Sequence, residues 1–252
     1  MTFHVAADAY DRFMGRFSGP LAARFADWAG VRRGMRALDV GSGPGALTAE
    51  LVRRLGAGAV HAVDPSPPFV EAVRSRLPGV DVRAASAEDL PLDDDAVDAA
   101  LAQLVVHFLA DPVRGLREMA RVTRPGGVVA ACVWDHAGGS GPLATFWGAV
   151  HELTPAAPDE SGLAGARAGH LAELFAAAGI RDVEQSLLSV SVPFESFEDW
   201  WEPFTLGVGP AGAHVTGLDD DGRAALRARC AELLPTAPFE VRASAWSARG
   251  RA

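Results

Sequence analysis

Asp39-Val-Gly-Ser-Gly-Pro-Gly45 follows a short apolar run, Met35 to Val40, and precedes a helical pattern. A strand, a glycine turn and a helix start therefore stand in sequence. Glycine has no Cβ to hold a ligand away, so bare backbone and a helix N-terminus face whatever binds there. Gly41-x-Gly43-x-x-Ala46 also satisfies the permissive dinucleotide fingerprint, and a tight strand-to-helix turn with no ligand would look the same. The acid two residues before the first glycine separates these readings. A carboxylate at Asp39 repels a pyrophosphate but attracts a ligand carrying an ammonium and a sulfonium. The loop thus points toward S-adenosylmethionine rather than NAD.

Working outward, strand and helical patterns take turns. Arg36–Val40, Ala59–Val63, Val80–Ala84, Ala96–Ala102 and Val128–Trp134 read as strands. Between them, Leu47, Leu51 and Leu55 share one helical face, Phe69 to Leu77 forms a second helix, and Val113, Leu116 and Ala120 mark a third. Alternation at this spacing implies right-handed βαβ units and a parallel sheet covered on both faces. Farther on, Leu171, Leu174, Phe175 and Ala178 predict a helix stopped by Gly179. Val183–Val192 alternates as a strand, and Phe239–Ala248 is its weaker antiparallel partner. The expected fold is α/β: a Rossmann-like, mostly parallel seven-stranded sheet with helices on both faces, an antiparallel last strand and a helical cap insertion. Residues 1–34 read as a helical lead-in or lid, with Leu21, Phe25 and Trp28 on one face. Residues 35–192 and 239–252 read as the cofactor-binding domain, and 193–238 as the cap. The stretch from His136 to Gly165, rich in Gly, Pro, Ser and acids, reads as a surface loop or a substrate-side lid.

The chain has 252 residues, 49% of them hydrophobic, enough for one α/β core with insertions. No apolar run approaches the roughly 20 residues of a bilayer span, and the N-terminus does not read as a signal peptide. Two isolated cysteines, Cys132 and Cys230, build neither a disulfide framework nor a zinc site. A cytoplasmic location is expected. The net charge is −9, every basic residue is arginine, and no basic stripe is visible, which favours a small molecule over nucleic acid as partner.

In an open α/β sheet, ligands bind beyond the carboxyl ends of the strands. Gly41, Ser42, Gly43 and Gly45 follow the first strand. Asp64 ends the second, where a carboxylate can accept both ribose hydroxyls or, equally, serve as a turn or helix cap before Pro65-Ser-Pro-Pro68. Pro65 offers a flat apolar surface to adenine. Ala85-Ser-Ala-Glu-Asp-Leu-Pro91 follows the third strand, and Gln103-Leu-Val-Val-His-Phe108 the fourth.

Together these pieces resemble class I S-adenosylmethionine-dependent methyltransferases, in particular the type 11, ubiquinone/menaquinone-methyltransferase-like, small-molecule group. The resemblance rests on Ala37 to Gly45, Val63-Asp64, Ser86-Ala-Glu-Asp-Leu-Pro91, Val97-Asp98 through His107-Phe-Leu-Ala-Asp-Pro112, and Arg124-Pro-Gly-Gly127. Each is common alone; the five in this order are specific. The resemblance implies that the glycine loop holds the methionine part of the cofactor, with Asp39 near its amino group. It implies that Asp64 binds the ribose, that Ser86 and Ala87 meet adenine, and that Gln103 offers a backbone oxygen to the ammonium. Ser86 stands where many relatives carry Asp. Tyr10 resembles a tyrosine that closes over the cofactor, and Arg16 is a candidate partner for the methionine carboxylate; equally, both residues would dock the first helix onto the sheet.

His107 is the candidate general base, since an unperturbed imidazole suits the task. The aromatics from Phe194 to Phe204 either face an apolar or aromatic acceptor, such as a quinone or a polyketide-like phenol, or pack the cap onto the sheet. No metal is expected: the other histidines, His4, His61, His136, His151, His170 and His214, show no metal-ligand spacing, and Asp93-Asp-Asp95 reads as a solvated turn. The competing functions are an NAD-dependent oxidoreductase and a catalytically silent S-adenosylmethionine-binding protein. The oligomeric state is left open.

Overall fold

A computed structural model describes residues 10–252; His4 and the rest of 1–9 lie outside the described residues. Five strands run parallel: β1 (Ala37–Val40), β2 (Val60–Asp64), β3 (Asp81–Ala84), β4 (Val97–Gln103) and β5 (Thr123–Trp134). Then β6 (Arg181–Phe194) and β7 (Phe239–Arg251) complete a seven-stranded sheet ordered β3-β2-β1-β4-β5-β7-β6. The last strand, β7, is antiparallel to both of its neighbours. The strand order reverses between β1 and β4, where adjacent crossovers leave to opposite faces and a crevice opens beyond the carboxyl ends.

Alternation along the strands divides the interior into two cores. Ala37 of β1, Ala99 and Leu101 of β4, and Val128, Ala130, Cys132 and Trp134 of β5 join one core. There they meet α1 (Arg16–Trp28) through Leu21 and Phe25, and α2 (Ala46–Leu55) through Leu47 and Leu51. Leu38, Val40, Ala100, Ala102, Val129, Ala131 and Val133 join the other. That face packs on α4 (Pro112–Val122) through Leu116 and Met119, and on α6 (His170–Ala177) through Leu171 and Phe175; α3 (Pro67–Arg76) covers β2 and β3. The same period places Asp39, Gln103 and Trp134 on the α1/α2 face at the carboxyl ends of three adjacent strands.

Several boundaries differ from the sequence reading. The stretch 136–165 is not all loop: α5 (Ala144–Leu153) buries Phe146, Trp147, Ala149 and Val150. Its helical period was present, but flanking glycines and prolines hid it, and the burial comes from residues about 80 positions later in the chain, such as Leu226 and Cys230. β5 begins at Thr123, ahead of the expected Val128, and runs through Pro125-Gly-Gly127 with a register shift against β4. A Cβ on Gly127 would stand 2.7 Å from the Asp98 carbonyl, so glycine is what lets the strand continue.

Between β6 and β7 the cap holds α7 (Phe197–Trp201), a 3-10 turn, α8 (Gly209–Gly217) and α9 (Asp220–Leu233). Phe194, Trp200, Trp201 and Phe204 are buried, and Phe204 stacks on Phe146 at 4.6 Å. The aromatic stripe is therefore cap core. A π-helical turn, Asp11–Gly15, leads into α1 and is fastened to that cap. Arg12 pairs with Glu202 at 2.7 Å, Phe13 meets Phe204 edge-on, and Arg16 grips Asp199 with both terminal nitrogens while lying 4.3 Å from the Phe194 ring centre. Arg16 is thus committed to the cap, which corrects its assignment to a cofactor carboxylate.

Gly41 closes β1 with φ +69°, and a Cβ there would sit 2.5 Å from a Val105 methyl on the loop after β4. Gly41→Ala is expected to destabilise the fold by about 2–4 kcal/mol in urea unfolding, from left-handed strain plus crowding. Adding Val105→Ala should relieve the crowding and leave the backbone part.

Candidate functional site

Three connected hollows open at the strand ends, and Tyr10 and Leu104 border all of them. The largest, about 420 Å³, is lined by Gly41, Gly43, Asp64, Pro65, Ser86 and Ala87 among others. A narrower crevice carries Asp39, Ser42, Gln103 and the loop glycines. The third lies under the cap and holds His107, Trp134, His136 and Glu160. Leu104, at their junction, has φ +62°, a conformation that a branched side chain seldom adopts and that the surrounding packing must hold.

The glycine loop is pinned to β2. Gly41 and Ser42 donate their amides to the Val63 carbonyl at 2.8 and 2.9 Å, and Gly43 donates to Asp64 Oδ2 at 2.8 Å. Asp64 Oδ1 accepts the Ser66 amide at 2.8 Å. Each Asp64 oxygen thus uses one lone pair on the backbone and keeps another, so the turn-residue role and a ligand role coexist. Burial pushes the Asp64 carboxyl above its ordinary range. A Cβ on Gly43 would meet nothing within 4 Å, whereas one on Gly45 would press on Val73 at 3.2 Å. Gly43 therefore borders open space and Gly45 serves the turn; Gly45 lines neither hollow.

Asp39 is 1% exposed, accepts the Thr48 hydroxyl at 2.6 Å, and is pushed by burial to about 7. Thr48 escaped the sequence reading because it lies one helical turn inside α2. The Gln103 side chain donates to the Ser18 carbonyl at 3.0 Å, and its Oε1 has no partner. The Ser86 hydroxyl donates to Glu88, which also accepts the Ala110 amide at 3.0 Å. Ser86 therefore retains a lone pair, and Glu88 enters as a lining residue that the sequence reading left unassigned. Tyr10 meets Phe69 edge-on at 5.7 Å across the mouth, and burial raises its phenol to about 12.

His107 stands on a 3-10 turn after β4 with its Nδ1 unpartnered. Burial lowers its pKa to about 3, and nearby His136 adds to the shift. The expectation of an unperturbed imidazole is corrected: the ring is neutral throughout the physiological range. His136, set aside on spacing, has an unpartnered Nε2 and falls to about 4 for the same reason. Among the described residues, the buried side-chain polar atoms without a partner belong to Gln103, His107, Trp134 and His136. Every one of those residues lines a hollow. Native interiors rarely leave such groups unpaired without a ligand, water or catalytic reason.

The model of the methyltransferase-domain family matches residues 38–131, from β1 into β5. That stretch of the chain is similar to a methyltransferase domain. An uncharacterized methyltransferase of Mycobacterium tuberculosis is 42% identical over 135 residues, 54% of this chain and 52% of that one. The ubiquinone/menaquinone biosynthesis C-methyltransferase of Idiomarina loihiensis is 38% identical over 110 residues, 41% of this chain and 44% of that one. The chain thus spans about half the length of the curated relatives it matches. The solved structure of a SAM-dependent methyltransferase from Thermotoga maritima superposes with TM-score 0.54 and 19% identity, covering 97% of this chain and 98% of that one. The Rossmann-like fold is shared over almost the whole chain. The match ends three residues before the end of β5, so the cap lies outside it, while His107 on the wall of the hollow lies inside.

The site suits S-adenosylmethionine on its own chemistry. Two buried carboxylates and an unpaired amide oxygen face ligand space, a donor set that welcomes a cation and hydroxyls. Among the described residues, no group of three or more His, Cys, Asp or Glu is placed to hold a metal.

The Asp39 shift has a stability consequence. Unfolded, its carboxyl ionises near 3.8; folded, it keeps its proton to about 7. The folded state binds more protons in that window, so its stability falls as pH rises from about 4 through 7. Asp39→Asn is expected to flatten this slope and to raise the unfolding free energy at pH 8 by on the order of 1–3 kcal/mol. Urea titrations across pH measure both.

Proposed function

We propose that the protein transfers the methyl group of S-adenosylmethionine to a small-molecule acceptor by in-line displacement. The observation that carries this reading is the placement of unpaired Gln103 Oε1 beside buried Asp39 in one crevice, joined at Leu104 to the hollow over Asp64. The cofactor supplies an electrophilic methyl carbon; the chain supplies position. Asp64 receives the ribose hydroxyls, Pro65, Ser86 and the Ala87 backbone flank adenine, and Asp39 with Gln103 draws the ammonium. Tyr10 covers the junction, and Gly41, Ser42 and Gly43 give the methionine part its close backbone approach. Alignment of this kind is worth on the order of 7–11 kcal/mol in favourable cases.

His107 takes a hydrogen bond from the acceptor. A ring lowered to about 3 is a weak proton sink, so its first role is to orient the acceptor lone pair and its second to receive the proton as the bond forms. The NAD-dependent alternative fares worse: a pyrophosphate would meet Asp39 and Asp64, two carboxylates close enough that the charge of Asp64 adds to the burial that raises the proton affinity of Asp39. A silent binding protein would leave the histidine-lined hollow unused. Two buried free thiols among the described residues and a net charge of −9 support a cytoplasmic protein whose acceptor is a small molecule rather than nucleic acid. No helix of the described residues is long and apolar enough to cross a membrane.

Calorimetry is expected to show S-adenosylhomocysteine binding and no NAD binding; the reverse overturns the reading. Asp64→Ala should weaken S-adenosylhomocysteine at least tenfold. Because the ammonium selects ionised Asp39, affinity should rise with pH and level off above about 7, a dependence that Asp39→Asn should lose. For His107, His107→Gln is expected to lower kcat by about 10- to 100-fold with cofactor affinity unchanged. Unaltered turnover removes the role.

A further inference from the structure

The hollow under the cap has a polarity of its own. Trp134 ends β5, and the chain turns at once through Asp135 and His136. Asp135 fixes that turn: its carboxylate accepts the Gly138 amide at 2.9 Å, the Ser140 hydroxyl at 2.6 Å and the Trp246 indole at 2.8 Å. A Cβ on Gly138 would come within 2.3 Å of the same carboxylate, so the turn closes only around glycine. Trp134 and His136 are thereby held on a rigid support. Their side chains, with His107 from the neighbouring loop, nevertheless leave Trp134 Nε1, His136 Nε2 and His107 Nδ1 without partners. The two imidazoles stand 6.0 Å apart, centre to centre.

These atoms differ in kind. An indole N–H can only donate, so it requires an acceptor oxygen or nitrogen on the ligand. A neutral imidazole offers one nitrogen that accepts and one that donates. The rest of the wall is apolar or aromatic: Phe13, Met14, Leu143 and Val208 to Ala211. Glu160, whose Oε2 accepts the Trp147 indole at 3.0 Å, is the only formally charged side chain among the lining residues. An anionic ligand would find a carboxyl there and no arginine.

The geometry points to an acceptor that is neutral, aromatic or otherwise apolar in body, and bears both a hydroxyl that donates to His136 or His107 and a second oxygen that accepts from Trp134. This rests on the methyl-transfer reading and adds the acceptor's chemical class, with Trp134 and His136 as its positioning residues. In the closed arrangement the hollow holds only about 40 Å³, room for a water or two rather than an acceptor. Entry requires the roof, Phe13 and Met14 with Val208 to Ala211, to lift.

The test uses full-length protein saturated with S-adenosylhomocysteine, titrated calorimetrically with four matched probes. They are 3-hydroxyacetophenone, 3-ethylphenol, acetophenone and ethylbenzene, with 3-hydroxybenzoate as the anion. The hydroxy ketone is expected to bind at least tenfold tighter than ethylbenzene and than the anion. Trp134→Phe should erase its advantage over 3-ethylphenol, and the double variant His107→Phe/His136→Phe its advantage over acetophenone, while each variant keeps wild-type affinity for S-adenosylhomocysteine. That unchanged affinity shows that the variants fold. Equal binding of ethylbenzene, preference for the anion, failure of all probes to bind, or variants that leave the ranking intact overturns the inference while cofactor binding stands. Failure of S-adenosylhomocysteine to bind wild type overturns the methyl-transfer reading itself, and this inference with it.

Discussion

The bond from the Gly43 amide to Asp64 Oδ2, 2.8 Å long, joins the ends of two parallel strands and sets the shape of the crevice between them. Without it the loop after β1 would have to satisfy a buried amide elsewhere, and the carboxylate would lose the charge-assisted bond that offsets part of its desolvation. The neighbouring Val63 carbonyl takes two further amides of the same loop. Three consecutive N–H groups thus point back toward β2. The space beyond the loop stays open, and Gly43, with no side chain, borders it. The φ values of Gly41 and Gly43, both positive, are what let the chain make these bonds in so few residues.

Placing carboxylates at this spot opposes stability. Asp39 and Asp64 are both buried, and each is driven by desolvation toward its protonated form. The polar atoms of Gln103, Trp134, His107 and His136 add unmade hydrogen bonds. A protein selected for stability alone would fill these positions with apolar side chains, as it does two residues earlier on β4, where Leu101 is fully buried. Ligand binding relieves the same groups, so occupancy should stabilise the fold by mass action. Strain at Leu104 belongs to this pattern: the deviation sits where the three hollows meet, one residue past the end of β4.

The sequence made one layer of this legible and hid another. The glycine loop, Asp64 and the alternation of strands and helices are local signals: a residue type, a period, a spacing. They sufficed for the sheet, its antiparallel last strand and the gathering of Asp39, Asp64 and Gln103 at the strand ends. What stayed hidden depends on contacts between distant segments. His136 showed no ligand spacing because its partner in the hollow, His107, comes from another strand end. Arg16 looked free because Asp199, which holds it, lies 183 residues away. The aromatic stripe from Phe194 to Phe204 fitted an acceptor surface and cap packing equally, because composition does not tell which side of a helix faces inward. In the fold those rings turn to Phe13, Phe17 and Phe146. Only a fixed parity could have revealed Trp134: it shares its strand face with Cys132 and Ala130, which read as plain core.

That same inward packing decides how the hollow can open. The lead-in reaches the sheet through the Gln103 bond to Ser18, the Phe17–Trp134 ring contact and the burial of Leu21 and Phe25. It reaches α3 through the Asp11–Arg76 pair and the Tyr10–Phe69 contact, and the cap through Arg12, Arg16 and Phe13. Exposed ion pairs contribute little one at a time, but the bidentate grip of Arg16 on Asp199 lies half-buried over Phe194 and is geometrically restrictive. Phe13 is therefore seated on the cap while Tyr10, three residues earlier, is seated on Phe69 of α3. An opening that lifts the cap must either carry this turn along, parting Asp11 from Arg76 and Tyr10 from Phe69, or part Arg12 and Arg16 from the cap. The acceptor hollow and the cofactor side are coupled in either case, because Tyr10 borders both.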